Sequence, residues 1–218
     1  MGALFVTGTD TGVGKTFVGC ALAHAWRAAG RRVGVVKPVE TGVEGEPEDA
    51  RALATAAGDA SPLDDVCPYR FRAPLAPSVA AALEGRTVDV DRIAALITRR
   101  AGTVDVLLVE GAGGLLVPIT GTTTWLDLVV RLRLPMLLVA ANRLGTVNHS
   151  ALTARVAASA GVAMLGFVLS QPGRETDVSA ASNAETIAAV TGLGCLGVLP
   201  HLDRPENAAG RLTVPPVD

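Results

Sequence analysis

The amino-acid sequence predicts a single α/β domain over residues 1–218, folded as a three-layer sandwich with a mostly parallel sheet between two layers of helices. Composition is the first indication, because 49% of the residues are apolar and only 3% are aromatic. Small and branched apolar side chains suit a sheet that Ala-rich helices cover on both faces. The second indication is order along the chain. Apolar runs of strand length alternate with amphipathic stretches of helical length, as in right-handed βαβ units.

Six apolar runs predict the strands, at residues 4–6, 33–36, 104–109, 136–140, 164–169 and 195–199. Parallel sheets bind ligands at the carboxyl ends of their strands. The residues that follow the runs are therefore candidates for function: Thr7, Lys37, Glu110, Ala141 or Asn142, Ser170 and Pro200. Between residues 58 and 78 several prolines disfavour regular elements, and we expect an irregular loop or lid there.

A glycine-rich loop joins the first predicted strand to the first predicted helix. Gly8, Gly12 and Gly14 precede Lys15 and Thr16, which open a run with helical periodicity. Backbone N–H groups of such a loop close around phosphate oxygens, and the helix N-terminus adds positive charge. Lys15 would then reach the β- and γ-phosphates of a nucleotide, and the Thr16 hydroxyl would bind Mg²⁺. This context predicts a P-loop NTPase-like fold, although the loop is one residue longer than usual and an ordinary strand-to-helix turn is the alternative.

Three more charged residues are candidates. Lys37 precedes Pro38, which keeps its backbone extended. Its ammonium would lie over developing phosphoryl charge, while a surface lysine at a strand end is the equal alternative. Glu110 precedes a glycine run, where a carboxylate would be a natural partner for Mg²⁺ and an acidic turn residue is the alternative. Asp49 begins a predicted helix, so stabilisation of the helix dipole competes with metal binding.

Asn148 and His149 stand near the start of the helix predicted after residues 144–146. A helix start binds anions or carboxylates. A plain N-terminal cap at Thr146 is the simpler interpretation of the local sequence.

Composition also excludes several function classes. The net charge of −2 provides no positive field to attract nucleic acid or an anionic membrane. The longest apolar run, at residues 134–141, is too short to span a bilayer. The three widely spaced cysteines argue against a disulfide framework, and the N-terminus has no basic-then-apolar signal segment. We therefore expect a cytoplasmic enzyme that binds neither nucleic acid nor membrane.

Five segments together resemble the dethiobiotin synthetase family, in the family's order and over most of the chain. They are Gly-Thr-Asp-Thr-Gly-Val-Gly-Lys-Thr (8–16), Lys-Pro-Val-Glu-Thr-Gly (37–42), Val-Glu-Gly-Ala-Gly-Gly (109–114), Leu-Gly-Thr-Val-Asn-His (144–149) and Pro-Glu-Asn-Ala-Ala (205–209). Each segment alone is weak evidence for the resemblance, but the five together are specific for this family. The longer phosphate loop is also a feature of this family.

The resemblance implies a Mg²⁺- and ATP-dependent ligase that closes the ureido ring of dethiobiotin, the penultimate step of biotin biosynthesis. Its substrates would be 7,8-diaminononanoate, CO₂ and a nucleoside triphosphate. One amine would capture CO₂ as a carbamate, and the γ-phosphoryl group would move to a carbamate oxygen to give a carbamic–phosphoric anhydride. The second amine would then displace phosphate. The enzyme would be a homodimer with its substrate site near the interface.

The resemblance also assigns roles to the matching positions. The catalytic residues would be Lys37, Lys15 and Thr11. The Mg²⁺ ligands would be Thr16, Asp49 and Glu110. The substrate would meet Thr41 at its carbamate end and, at its carboxylate end, Gly145 and Asn148 of the other subunit. The nucleotide would contact Gly12, Val13, Gly14, Lys15, Thr16, Phe17, Asp49, Glu110, Gly111, Ala112, Gly113, Ser170, Gln171, Pro200, His201 and Leu202.

Two departures and one rival function remain open. Ser170-Gln171 stands where many relatives carry Asn-Asp, whose Asn reads adenine, so another nucleoside triphosphate is an alternative to ATP. Gly12 stands where well-known members carry Glu, and we expect activity to survive this change. The rival is a partner-binding P-loop ATPase switch of the partitioning or cluster-carrier type. Such proteins usually carry a second lysine early in the loop, and residues 8–13 have none.

Overall fold

A six-stranded parallel sheet organises the computed structural model, which describes residues 2–217. The strands are β1 (Ala3–Gly8), β2 (Val33–Val36), β3 (Val39–Thr41), β4 (Tyr69–Phe71), β5 (Val106–Gly114), β6 (Pro118–Thr120), β7 (Thr123–Thr124), β8 (Met136–Ala141), β9 (Met164–Ser170) and β10 (Cys195–Leu199). The helices are α1 (Lys15–Ala28), α2 (Glu48–Ala57), α3 (Leu63–Val66), α4 (Pro77–Leu83), α5 (Val90–Ala101), α6 (Trp125–Leu132), α7 (Thr146–Ser159) and α8 (Asn183–Thr191), with short 3₁₀ helices at Val178–Ala181 and Pro205–Arg211.

The central sheet has the order β10-β9-β8-β1-β5-β2, and all of its pairings are parallel. All six predicted strands are therefore present, and they are the six strands of this sheet. Two small sheets lie outside it: β3 pairs with β4 in parallel, and β6 pairs with β7 in antiparallel fashion. The predicted α/β class with a mostly parallel sheet is confirmed.

Helices cover both faces of the sheet because successive side chains of a strand point to opposite faces. In β1, Leu4 and Val6 belong to the core cluster that packs against α1 and α2. Ala3 and Phe5 belong to the cluster on the other face, with α5 and α6. These residues are fully buried, as expected for a strand inside a three-layer sandwich.

The strand predicted at residues 104–109 has different bounds in the structure. β5 begins at Val106 and continues through Glu110 to Gly114, whereas the apolar run predicts residues 104–109. Glycine weakens the interior of a strand, but here Val6 and Gly8 of β1 pair with Glu110 and Gly114 of β5. Glu110 therefore lies within the strand, beside the end of β1, rather than after it.

The expected irregular region at residues 58–78 is only partly irregular. It contains α3, β4 and the start of α4. Pro62 is the N-cap residue of α3 and Pro77 lies in the first turn of α4, where a missing N–H costs no hydrogen bond. Pro68 directly precedes β4, and residues 58–62, 67–68 and 72–76 lie outside helices and strands, as expected. Three of the four prolines here stand at the start of an element, and Pro74 lies in the loop between β4 and α4.

Among residues 2–217, no helix is both long enough and apolar enough to cross a membrane.

Candidate active site

The loop between β1 and α1 wraps tightly around the Lys15 side chain. A Cβ atom at Gly8 would lie 2.8 Å from the Asp10 carbonyl oxygen and 2.9 Å from Lys15 Nζ, so this position requires glycine. Lys15 Nζ donates a hydrogen bond to that same carbonyl oxygen at 2.9 Å. Gly14 is the N-cap of α1, with φ of 90°, a left-handed conformation that favours glycine. The predicted strand, glycine loop and helix start are present in this order.

Burial controls the charge of Lys15, which is only 7% exposed. Loss of water lowers its pKa to about 8, and the positive charge of Lys37 lowers it further, while Glu110 opposes the shift. A phosphate group bound beside Lys15 would favour the protonated amine and raise this pKa again.

Lys37 lies at the centre of a buried ion cluster. Its Nζ donates to Asp49 Oδ2 at 2.8 Å and to Glu110 Oε1. Thr16 Oγ1 donates to the same Glu110 oxygen at 2.8 Å. Burial alone would lower the pKa of Lys37, but the charges of Glu110 and Asp49 outweigh it and raise the pKa. Burial likewise opposes the lowering of the Asp49 pKa that the Lys37 charge produces. Near pH 8, Lys37 therefore stays charged, whereas Lys15 is partly deprotonated.

These two residues are the only lysines in the chain, since every other basic side chain is an arginine or a histidine. An ammonium is a compact charge on a flexible stem, unlike the planar guanidinium. Because the chain has lysine only at these two positions, residue type alone marks Lys15 and Lys37 as candidate functional residues.

A cavity of about 640 Å³ opens beside the cluster, between the phosphate loop, β3 and the loop that precedes α4. It brings together eleven of the residues that the sequence singled out: Thr11, Gly12, Gly14, Lys15, Thr16, Phe17, Lys37, Thr41, Asp49, Ala112 and Gly113. Three others lie beneath it. The Val13 side chain belongs to the core, Glu110 is fully buried under Lys37 and Thr16, and Gly111 packs under the Phe5 ring.

Glu40 is a site residue that sequence reasoning missed. It lines the cavity between Lys37 and Thr41 and is 7% exposed. Burial raises its pKa, and the hydrogen bonds that its carboxylate accepts from the N–H groups of Ala50 and Asp49 oppose this shift. The position of Glu40 within the Lys37–Gly42 segment could have marked it as a candidate site residue. The local sequence does not reveal that its hydrogen-bond partners lie on α2.

The residues predicted to hold the base lie on the other side of Gly14. Ser170 ends β9 and is 4% exposed, and a Cβ atom on Gly14 would be only 2.5 Å from its Oγ. Gln171 Nε2 donates to the Glu175 carbonyl at 2.9 Å, and His201 Nδ1 lies 3.0 Å from the Pro172 carbonyl oxygen. The segments that follow β9 and β10, including Pro200 and Leu202, therefore stand next to each other and do not line the Lys37 cavity.

The predicted substrate residues on α7 also lie apart from this cavity. Gly145 is the N-cap of α7, with φ of 91°, and the helix begins at Thr146. The interpretation of Thr146 as the N-cap is therefore wrong by one residue, because only glycine readily takes this conformation. Gly145 and Asn148 line a separate cavity of about 490 Å³ between α7 and α8. Thr41 and Asn148 of one chain therefore do not share a cavity.

The oxygen atoms at the Lys37 cluster fit a hard cation. Thr16, Asp49 and Glu110 offer only oxygen donors, which Mg²⁺ prefers. Lys37 already lies between two carboxylates, so negative charge is concentrated here. Within residues 2–217 no three His, Cys, Asp or Glu side chains form an all-protein metal cage. Mg²⁺ in nucleotide sites needs no such cage, because water and phosphates complete its coordination.

Comparison with known proteins identifies the family. A family model described as "AAA domain" matches residues 2–209. The ATP-dependent dethiobiotin synthetase BioD of Anaeromyxobacter dehalogenans is 50% identical over 201 residues, which cover 92% of this chain and 90% of the relative. BioD 1 of Escherichia coli is 40% identical over 214 residues, covering 94% of this chain and 93% of the relative.

Solved structures show the fold alone. The cell division ATPase MinD of Pyrococcus furiosus has a TM-score of 0.56 and 21% identity, covering 92% of this chain and 84% of its own. MinD of Pyrococcus horikoshii, complexed with Mg-ADP, has a TM-score of 0.57 and 18% identity, covering 97% of this chain and 87% of its own. They bear out the P-loop NTPase-like architecture. The sequence relatives are much closer, and by them the chain belongs to the ATP-dependent dethiobiotin synthetase family.

Proposed function

We propose that this protein closes the ureido ring of dethiobiotin from 7,8-diaminononanoate, CO₂ and ATP, in the penultimate step of biotin biosynthesis. The convergence of Lys15, Lys37, Thr16 and Asp49 on one cavity, with Thr41 opening on it, carries the proposal. A carbamate and a triphosphate are both anions, and their reaction needs concentrated positive charge. The chain's two lysines supply that charge at one place.

The chemistry is phosphoryl transfer followed by ring closure. One substrate amine takes up CO₂ as a carbamate, and a carbamate oxygen attacks the γ-phosphorus with release of ADP. The second amine then attacks the carbonyl carbon of the anhydride and expels phosphate. Lys15 holds the phosphate chain, Lys37 offsets the charge between the two anions, and Thr41 donates to the carbamate. Thr11 lines the same cavity and completes the catalytic set.

Thr16, Asp49 and Glu110 would hold Mg²⁺, which neutralises phosphate charge in such reactions. Asp49 faces the cavity with nearly half of its side chain exposed, whereas Glu110 contributes its charge from below. The Lys37 ammonium lies between these two carboxylates, so it would remain near the transferred group. The oxygen donors of these three side chains, which lie beside the Lys37 ammonium, support their assignment as Mg²⁺ ligands.

The nucleotide base would lie beyond Gly14, against the segments that follow β9 and β10. Residues Ser170, Gln171, Pro200, His201 and Leu202 form this side, and residues 12–17 and 110–113 surround the phosphates. Ser170 carries a short hydroxyl side chain that packs against the loop. Base recognition would therefore rest on Gln171 and on the backbone of these segments.

We further propose a homodimer that completes the substrate site. Leu116 and Leu152 are more than half exposed and line one shallow pocket, which shares Thr11 and Val117 with the Lys37 cavity. An exposed apolar surface beside a cavity favours a partner. A second copy packed there would bring its α7 start, with Gly145 and Asn148, toward the substrate's carboxylate. The free state of Cys20, Cys67 and Cys195 supports a cytoplasmic location.

Phosphate release by the purified protein tests the function. With diamine, bicarbonate, Mg²⁺ and ATP present, phosphate should appear together with dethiobiotin, detected by mass spectrometry. Omission of the diamine or removal of CO₂ should abolish both products. Equal hydrolysis without the diamine would instead favour the partner-binding ATPase switch. Repeating the assay with the four nucleoside triphosphates decides base preference.

Oligomeric state is tested by light scattering of the wild type and of Leu152→Glu. The wild type should be a dimer. The charged variant should be a monomer with weak diamine binding and unchanged nucleotide binding, because the phosphate loop lies within one chain. A wild-type monomer with full activity would exclude the shared substrate site.

A further inference from the structure

Helix α2 receives its N-terminal cap from a distant strand. Its own N-cap residue, Pro47, makes no side-chain hydrogen bond to the helix, although N–H groups of a first turn need acceptors. Glu40 on β3 provides them. Its Oε1 accepts the N–H of Asp49 at 3.0 Å, and its Oε2 accepts the N–H of Ala50 at 2.9 Å. A buried carboxylate thus stands at the positive end of the α2 dipole.

Asp49 is held by two residues of the Lys37–Gly42 segment. Its backbone N–H donates to Glu40, and its carboxylate accepts from Lys37. Asp49 Oδ2 lies 2.8 Å from Lys37 Nζ. Glu40 and Lys37 are three residues apart on one segment, and pairing of Glu40 with Arg70 holds this segment on β4. Asp49 is therefore fixed at two points by the same stretch of chain, and it lines the cavity from a defined position.

From this contact we infer that Glu40 is a positioning residue: by capping α2 it sets the position of the Asp49 carboxylate for Mg²⁺. The inference rests on the proposed role of Asp49 as a metal ligand. Outer contacts that orient metal ligands affect metal affinity although they never touch the metal. A cap that only stabilised α2 would change the stability of the helix and leave binding of the magnesium nucleotide unaltered.

The test compares Glu40→Gln with Glu46→Gln. Glutamine at position 40 keeps the shape but turns one acceptor into a donor that faces an N–H group. Glu46→Gln removes the same charge from the same end of α2, where the exposed Glu46 forms an ion pair with the exposed Arg51. Glu40→Asp, which keeps the charge on a shorter side chain, is the conservative variant. Two quantities are measured for each: exchange of the Asp49 and Ala50 amides by NMR, and calorimetric dissociation constants of MgATP and of ATP in EDTA.

Glu40→Gln should speed both amide exchanges and weaken MgATP binding by about tenfold, while ATP binding in EDTA changes less than about twofold. Glu46→Gln should match the wild type, and Glu40→Asp should lie between. Faster exchange with unchanged MgATP binding would overturn the inference and leave the proposed function standing. If the wild type itself bound MgATP no better than ATP in EDTA, the role of Asp49 would fail, and the inference with it. Should Glu40→Gln not fold, the same comparison with Glu40→Asp decides.

Discussion

Two halves of the same sheet edge are built from different chemistry. Beyond β1 and β2 stand the buried charges of Lys15 and Lys37, and the buried charge of Glu110 lies within β5 beside them. Beyond β8 and β9 stand neutral groups: Asn183 Nδ2 donates to Asn142 Oδ1 at 2.9 Å, and Asn142 Nδ2 donates to the Ala180 carbonyl at 3.3 Å. Desolvation makes a buried ion cluster a poor source of stability, whereas paired amides fix loops at little cost. The contrast indicates that the charged half suits phosphoryl chemistry, whereas the amide pairs beyond β8 and β9 hold the neighbouring loops in place.

The largest effect should come from the centre of the charged half. Lys37→Ala removes the cation that faces both anions, and we expect kcat to fall by roughly 10²–10³-fold, as for other removed transition-state donors. ATP binding should weaken far less, because Lys15 and the loop remain. Turnover and calorimetric ATP affinity measure this split. Equal losses in both would make Lys37 a binding contact only, and circular dichroism checks that the variant folds.

Gly14 joins the two halves, and its substitution tests their contact. Gly14→Ala would force a side chain into left-handed backbone at 2.5 Å from Ser170 Oγ. We expect ATP binding to weaken by about a hundredfold, combining backbone strain with a displaced loop. Gly12→Ala is the matched control, because Gly12 has φ of 73° and no neighbour within 4 Å of a new Cβ. A similar loss in both variants would show that strain alone acts, without contact between the halves.

The two lysines should titrate differently. Burial lowers the pKa of Lys15 to about 8, so the nucleotide-free protein loses this charge between pH 7 and 9, and its ATP affinity should fall by roughly tenfold. Lys37, whose pKa is raised, should stay charged. Reductive ¹³C-methylation labels both lysines, and NMR then follows each titration. Identical titration of both lysines would contradict the assigned environments.

The lowered pKa of Lys15 also determines how the unfolding free energy changes with pH. Unfolded Lys15 titrates near 10.5 and folded Lys15 near 8, so the unfolded chain binds more protons between these values. The contribution of Lys15 to unfolding free energy should therefore rise from pH 8 to 10.5. Urea unfolding of the wild type minus that of Lys15→Met isolates this slope. A difference that falls with pH would contradict a lowered pKa.

The smallest effect on chemistry should come from the neutral half. Asn183→Leu leaves Asn142 without its buried donor, which we expect to lower the unfolding free energy by about 1–3 kcal/mol. The kcat should change less than about twofold, since Asn183 does not line the Lys37 cavity and no charge there is altered. Urea unfolding and the phosphate assay measure the two quantities. A large loss of kcat would show that the neutral half also acts in chemistry.

Elements whose signals are local could be predicted from the sequence. Apolar runs located all six strands of the central sheet, glycine spacing located the phosphate loop, and residue type marked Lys15 and Lys37 as candidates. Each signal depends on backbone freedom, burial or charge of adjacent residues, which a short stretch of chain encodes. Family resemblance added roles for Asp49 and Thr41 that no local pattern supports.

Contacts between distant groups became visible only in the folded chain. The tertiary structure extended β5 through a glycine run because Gly114 pairs with Gly8, and it ordered the proline-rich region because β4 pairs with β3. It also packed Ser170 against Gly14 and brought the Glu40 carboxylate to the N–H groups of α2. These contacts join residues far apart in the chain, and their geometry depends on how whole layers pack, which no local pattern contains.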